Sequence, residues 1–182
     1  ASSDALKTAL VRHVITLADS KRILGIRYSD WLLGAPSIET GIAASSMAQD
    51  EWGHARLLYA MLKDLDVDPA EVERERPAER YANVPAVDGP VPDWAATVAI
   101  MLAVDGAISA ALESFAAGAF EPARSRVPKM LMEEEFHRDL GLAWVGRRGS
   151  ASEEATIAII RLDTPGGLMT STREITSAII AK

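Results

Sequence analysis

The sequence predicts an all-α protein, with four long helices running up and down in one bundle, a long crossover between the second and third, and short extra helices at the C-terminus. Two observations carry this. Apolar residues recur at three- and four-residue intervals, as in Leu6, Leu10, Val14, Leu17, Leu24 and Tyr28, the spacing that lines one face of a helix. Ala, Leu, Glu and Arg weigh heavily, while aromatic residues make up only 5% and no strand-like alternation competes.

The punctuation sets the elements in order. Helix one is expected over residues 4–33, stopped by Gly34, with Pro36 placed where a next helix can begin because proline's missing N–H costs nothing in a first turn. Helix two then runs to about residue 66. Asp68 before Pro69 caps a short helical turn, and residues 77–92, with prolines at 77, 85, 90 and 92, read as the crossing loop. Helix three starts near Asp93 and runs to about 117. Helix four begins between Pro122 and Pro128 and ends near Val145, before Gly146 and the basic pair Arg147 and Arg148. Residues 150–182 read as one or two shorter helices broken at 164–167. The 182 residues suit a single domain, 1–182, with its core bundle over about 4–146.

Composition excludes several functions. A net charge of −7 and the lack of a long basic run argue against nucleic acid as a partner. The absence of cysteine removes disulfides, thiolate zinc sites and a cysteine nucleophile. Residues 1–10 do not read as a signal peptide, and apolar stretches such as 98–104 are too short to span a bilayer. A cytoplasmic protein without a membrane partner is expected.

The chemistry lies in a repeated pattern. Of three histidines, two complete Glu-x-x-His: Glu51 with His54, and Glu134 with His137. Residues three apart share a helix face, so each motif aims a carboxylate and an imidazole into one volume. Two such motifs plus a carboxylate from each remaining helix make the di-iron site of ferritin-like bundles. Met47, Leu58 and Met61 surround the first motif and Met130 and Gly141 the second, so the polar groups are expected to be buried, where a carboxylate must be paired, protonated or coordinated. On helix three Asp105 interrupts Val98, Met101, Leu102, Ile108 and Leu112 and should point inward. The candidate metal ligands are therefore Glu51, His54, Asp105, Glu134 and His137.

Helix one departs from the pattern. Its inward line places Lys21 where a sixth ligand belongs, and an ammonium cannot bind a metal. Asp19, two positions away, is turned roughly 200° around the helix and is a poor substitute. Three carboxylates and one lysine leave a net −2 with neutral imidazoles, so one divalent ion balances the cavity and two overcharge it. Without metal, Lys21 can bridge the carboxylates itself; alternatively its long stem carries the ammonium to the bundle end. Glu133 and Glu135 read as a solvated helix face, Trp52, Trp94 and Trp144 as core or interface aromatics, and His13 as a surface residue without a role.

At these residues the chain resembles the ferritin-like subunits of bacterial phenylacetyl-CoA epoxidase, over roughly residues 15–146. LADSKRILGIRYSDWLLGAPSIE and IAASSMAQDEWGHARLLY are similar to the family's first helix pair, particularly in its structural subunit; LAVDGAI and EEEFHRDLG are similar to helices three and four of its catalytic subunit. The resemblance implies a multicomponent mono-oxygenase of phenylacetate catabolism that holds non-haem iron, one or two ions, and acts on an aromatic acyl-CoA. It implies a separate reductase and a homologous ferritin-like subunit, or a second copy, as partners in an oligomer. By position, Glu51, His54, Asp105, Glu134 and His137 match iron ligands, and Lys21 replaces the helix-one glutamate.

Two further readings stand beside this one. The first is a catalytically silent structural partner with Lys21 as internal counter-ion; the second is a metal-storage or oxidative-stress relative of ferritin. No Gly-rich phosphate loop is present, and Arg74, Arg76 and Arg80 in the crossover are the candidate contacts for the phosphates of a CoA thioester.

Overall fold

The computed structural model describes residues 3–74 and 76–147. The helices expected over 150–182 lie outside the described residues. Among the described residues there is no strand, and the architecture is an all-α bundle. Helix α1 spans Ser3–Ser29, α2 Ile38–Ala60, α3 Pro69–Glu73, α4 Trp94–Ala99, α5 Gly106–Ala116 and α6 Glu121–Arg147. A π-helical segment, Ile100–Asp105, joins α4 to α5, so that Trp94–Ala116 is one continuous helical run.

The boundaries follow the local chemistry. α1 ends four residues earlier than its periodicity suggests, because the amides of Trp31 and Leu32 turn back to the carbonyls of Tyr28 and Ser29 in tight three-residue turns. Ser37 caps α2 by accepting from the Thr40 amide, so the cap falls one residue after Pro36. Beyond Ala60 the chain tightens into the 3₁₀ turn Met61–Leu65 and stops at Asp66, whose φ of 55° lies in the left-handed region. Asp68 caps α3 and Asp93 caps α4 through the Ala96 amide at 2.7 Å. α6 begins at Glu121 and takes Pro128 into its interior, so Pro128 does not mark a start.

The core is one apolar cluster drawn from every long helix, including Val14, Leu24 and Tyr28 of α1, Met47 and Leu58 of α2, Ile108 and Leu112 of α5, and Val127 and Met130 of α6. At one end of the bundle Trp94 packs edge-on between Trp31 and Trp144, with ring centroids 5.8 and 5.5 Å away, which agrees with the expected packing role of two of those tryptophans. The run Trp94–Ala116 has the length and apolar character of a membrane span. In the fold, 61% of its most apolar stretch is buried inside the bundle and it carries the ion-paired Asp105.

α1 is the post to which the crossover is strapped. Asp19 is fully buried and accepts from the Arg76 guanidinium, the Tyr59 hydroxyl and the Ala82 amide; beside it Ser20 Oγ accepts from the Val84 amide at 3.0 Å. The Arg27 guanidinium donates to the Val87 carbonyl at 2.9 Å, and the Val87 side chain is fully buried. Arg76 is thus committed to Asp19 and to the Arg80 carbonyl, which withdraws it from the candidate CoA contacts. Replacing Asp19 by Ala strands a guanidinium, a hydroxyl and an amide at once. We expect Asp19→Ala to lower unfolding free energy by about 3–5 kcal/mol in urea titrations; a loss below about 1 kcal/mol would show that the strap does not hold the crossover.

Candidate metal centre

Three of the four long helical runs contribute carboxylates to one buried volume, and the fourth contributes an ammonium. Glu51 and His54 project from α2 and Glu134 and His137 from α6, each pair three residues apart on one helix face. Asp105 is the last residue of the π-helical segment, whose wider turn ends at the level of the cluster. α6 is hollowed opposite this turn: a Cβ at Gly141 would stand 2.9 Å from the Leu102 side chain, so glycine leaves room for the wide turn to pack. All five candidate ligands, and Lys21, are buried.

Lys21 is fully buried at the centre. Its Nζ lies 2.5 Å from Glu134 Oε1, 2.6 Å from Asp105 Oδ1 and 3.1 Å from Glu51 Oε1. The alternative of an ammonium carried to the bundle end is overturned: three carboxyl groups at contact distance hold it fully buried. Asp19 faces away into the crossover strap, as its angular offset predicts.

The two histidines are held reciprocally across the α2–α6 seam. His54 Nε2 is 2.7 Å from Glu133 Oε2 on α6, and His137 Nε2 is 3.4 Å from Asp50 Oδ2 on α2. The inner nitrogens differ. His137 Nδ1 is 3.2 Å from Glu51 Oε1 and 3.3 Å from Asp105 Oδ2. His54 Nδ1 lies 2.9 Å from Glu134 Oε1 without the alignment of a hydrogen bond. Tyr28 donates its hydroxyl to Asp105 Oδ2 at 2.9 Å, and Ser109 donates to Glu134 Oε2 at 3.1 Å.

Electrostatics sort the protons. Burial alone would strip Lys21 of its charge, but Asp105, Glu51 and Glu134 hold it as ammonium, with a pKa well above the usual lysine value. Burial and the neighbouring Asp105 push Glu51 up to about 8, against the pull of Lys21. Glu134, despite its burial, is driven well below the carboxylate range by Lys21 and by both histidines. His137 is raised to about 12: burial opposes its charge, and hydrogen bonds to Asp105, Glu134 and Glu51 outweigh it. Lys21, His54 and His137 are thus biased toward their charged forms, Glu134 toward the carboxylate and Glu51 toward the protonated acid.

Three carboxylates and an imidazole suit a hard or borderline divalent ion. Glu51, Asp105, Glu134 and His137 each offer one ligand atom, all within 4.8 Å of one another. His54 is not in that group; its outer nitrogen is taken by Glu133. The buried Glu51 Oε2 has no hydrogen-bond partner, a free lone pair aimed into the same volume. A cavity of about 340 Å³ between α5 and α6 reaches Asp105 and Glu134 from solvent, past Ser109 and Arg138. One ion therefore fits the donor set by chemistry, in competition with the ammonium. A pair of ions does not fit, because Lys21 already supplies a cation at contact distance to all three carboxylates.

Sequence reasoning missed Asp50 and Glu133, reading the latter as solvated face. A signal was present: each Glu-x-x-His is preceded by an acidic residue, Asp50-Glu51 and Glu133-Glu134, and both extra carboxylates serve the histidine of the opposite helix.

Fold and site together define an all-α bundle protein with a buried carboxylate–histidine cluster able to hold a metal ion. The chain belongs to the phenylacetic acid catabolic protein family, which it matches over residues 1–159, and so has a role in phenylacetate catabolism. None of the curated proteins matches it.

Removing the ammonium while keeping its stem isolates the charge effect. Lys21→Met is expected to lose about 3–5 kcal/mol of unfolding free energy in metal-free buffer, since it leaves buried carboxylates without their cation. Stability within about 1 kcal/mol of wild type would mean the carboxylates do not depend on Lys21.

Proposed function

We propose that this chain is a ferritin-like subunit of a multicomponent mono-oxygenase of phenylacetate catabolism, acting as the catalytically silent structural partner of an active homologue. The observation that supports this reading is the Lys21 ammonium at 2.5–3.1 Å from Glu134, Asp105 and Glu51, which ties three helical runs to the first. In this role Lys21 is an internal counter-ion, Tyr28 and Ser109 orient two of the carboxylates, and Asp50 and Glu133 fix the imidazoles across the seam. The oxygenation of an aromatic acyl-CoA, and the exchange of electrons with a reductase, belong to the partner subunit. Exposed apolar residues, among them Leu33 at 96%, Ile38 at 81% and Met132 at 73%, are consistent with contact to a homologous subunit or a second copy. A cytoplasmic location accompanies this reading.

A second reading has its own support in the four ligand atoms within 4.8 Å and the unpartnered Glu51 Oε2. Glu51, Asp105, Glu134 and His137 would then hold a single ion once the ammonium is displaced, and non-haem iron there would supply activation of dioxygen. Elemental analysis after anaerobic iron loading separates the readings, with Lys21→Glu beside wild type. The structural-partner reading expects less than about 0.1 iron per wild-type chain and a clear gain in Lys21→Glu. About one iron in wild type would favour the second reading, and about two would overturn the argument from Lys21 altogether.

A further inference from the structure

Between α1, α3 and the crossover lies a groove of about 610 Å³ that shares no residue with the buried cluster. Val11 and Ile15 of α1 and Val72 of α3 supply the apolar part of its lining; each is partly buried and packs against the main core. Beside them stand three charged groups, Arg12 of α1, Glu71 of α3 and Arg80 of the crossover. The crossover wall is held in place. The Arg76 guanidinium pairs with Asp19 and lies over the Tyr81 ring, 4.3 Å from its centroid. On that wall the Arg76 Nε is a buried donor without a hydrogen-bond partner.

The charge balance here runs against that of the whole chain, which carries −7. Arg12 and Arg80 are exposed, and among the described residues neither has an ion-pair partner. Arg76 is neutralised by Asp19. With Glu71 as the one carboxylate in the lining, a single positive charge is left uncompensated. The Thr8 hydroxyl at the rim donates to the Asp4 carbonyl, so recognition of a polar group falls to the arginines. A volume of this size suits a small molecule, and the planar guanidinium fork matches a carboxylate. One net charge beside an apolar lining favours a monoanion with a hydrocarbon body over the multiply charged phosphates of a nucleotide.

We propose that this groove binds a small monocarboxylic acid, its carboxylate held by Arg12 and Arg80 and its hydrocarbon body laid on Val11, Ile15 and Val72. Aliphatic and aromatic acids share that chemistry. Arg12 belongs to α1 and Arg80 to the crossover, so an occupied groove bridges the two elements that Asp19 also joins. Occupancy therefore fastens the crossover more tightly to α1 and raises the melting temperature by mass action. The site stands whether or not the buried cluster holds metal.

Amide-shift titration of the isotope-labelled full chain by NMR tests it, with hexanoate, 3-phenylpropanoate, hexanamide, acetate and inorganic phosphate as probes. Hexanoate or 3-phenylpropanoate is expected to shift the amides of Val11, Arg12, Val72 and Arg80 in a saturable way. Hexanamide lacks the charge and acetate lacks the body, so each is expected to bind at least about tenfold more weakly. Tighter binding of hexanoate than of 3-phenylpropanoate assigns the groove to aliphatic acids, and the reverse assigns it to aromatic ones. Arg12→Gln and Arg80→Gln, both at exposed positions and checked for helix content, are each expected to weaken binding about fivefold or more. The absence of saturable shifts at these amides up to about 20 mM acid overturns the proposal. So does hexanamide binding as tightly as hexanoate, phosphate binding more tightly than either acid, or binding that both variants retain unchanged.

Discussion

An ammonium group inside a protein core is costly, because the ion gives up water for a medium that screens charge poorly, and it persists only where carboxylates replace that water. Lys21 meets this condition through Glu51, Asp105 and Glu134, which come from three separate helical runs. Burying any of these groups without its partners is costly as well, so the four support one another. The packing of the long helices at the bundle centre therefore leans on this interaction beside the apolar core. Apolar contacts surround it, and the paired charges add fixed distances between α1 and the other three helical runs.

The same helix carries a second buried ion pair on its other side. Asp19 and Lys21 differ by roughly 200° around α1, so one side chain enters the bundle while the other turns out to Arg76 and the crossover. Two neighbouring positions of opposite charge thus divide the work: Lys21 fastens α1 to the bundle, and Asp19 fastens the crossover to α1. The arrangement explains why a segment with four prolines and little regular structure lies ordered against the helices. Its backbone amides at Ala82 and Val84 find acceptors in Asp19 and Ser20.

Around the centre, symmetry follows from repetition in the sequence. α2 and α6 each present an acidic pair followed by a histidine three residues on, and they face each other so that each histidine reaches the outer carboxylate of the opposite helix. Fixing an imidazole by its outer nitrogen orients the inner one, the arrangement by which bundle proteins hold metal-binding histidines. Here the inner nitrogens meet carboxylates already engaged by an ammonium. The site keeps the arrangement of a metal centre with the Lys21 ammonium standing among its carboxyl groups.

Much of this was legible without coordinates. The helical period of Val14, Leu17, Leu24 and Tyr28, the caps at Asp68 and Asp93, and the two Glu-x-x-His motifs marked the bundle, the inward faces and five buried polar residues, because helical geometry turns spacing into direction. Lys21 was identified as inward-facing by the same rule. The π-helical segment was not legible, since Ile100–Asp105 has the composition of any apolar helix and its wide turn depends on the space left by Gly141 across the bundle. Nor was the choice between an ammonium at the bundle end and one at its centre, because a lysine stem reaches either. That choice rests on where three carboxylates from distant parts of the chain converge. Local sequence determined which residues face inward; the tertiary structure decided which inward charges meet, because pairing energy depends on distances between helices that no single helix encodes.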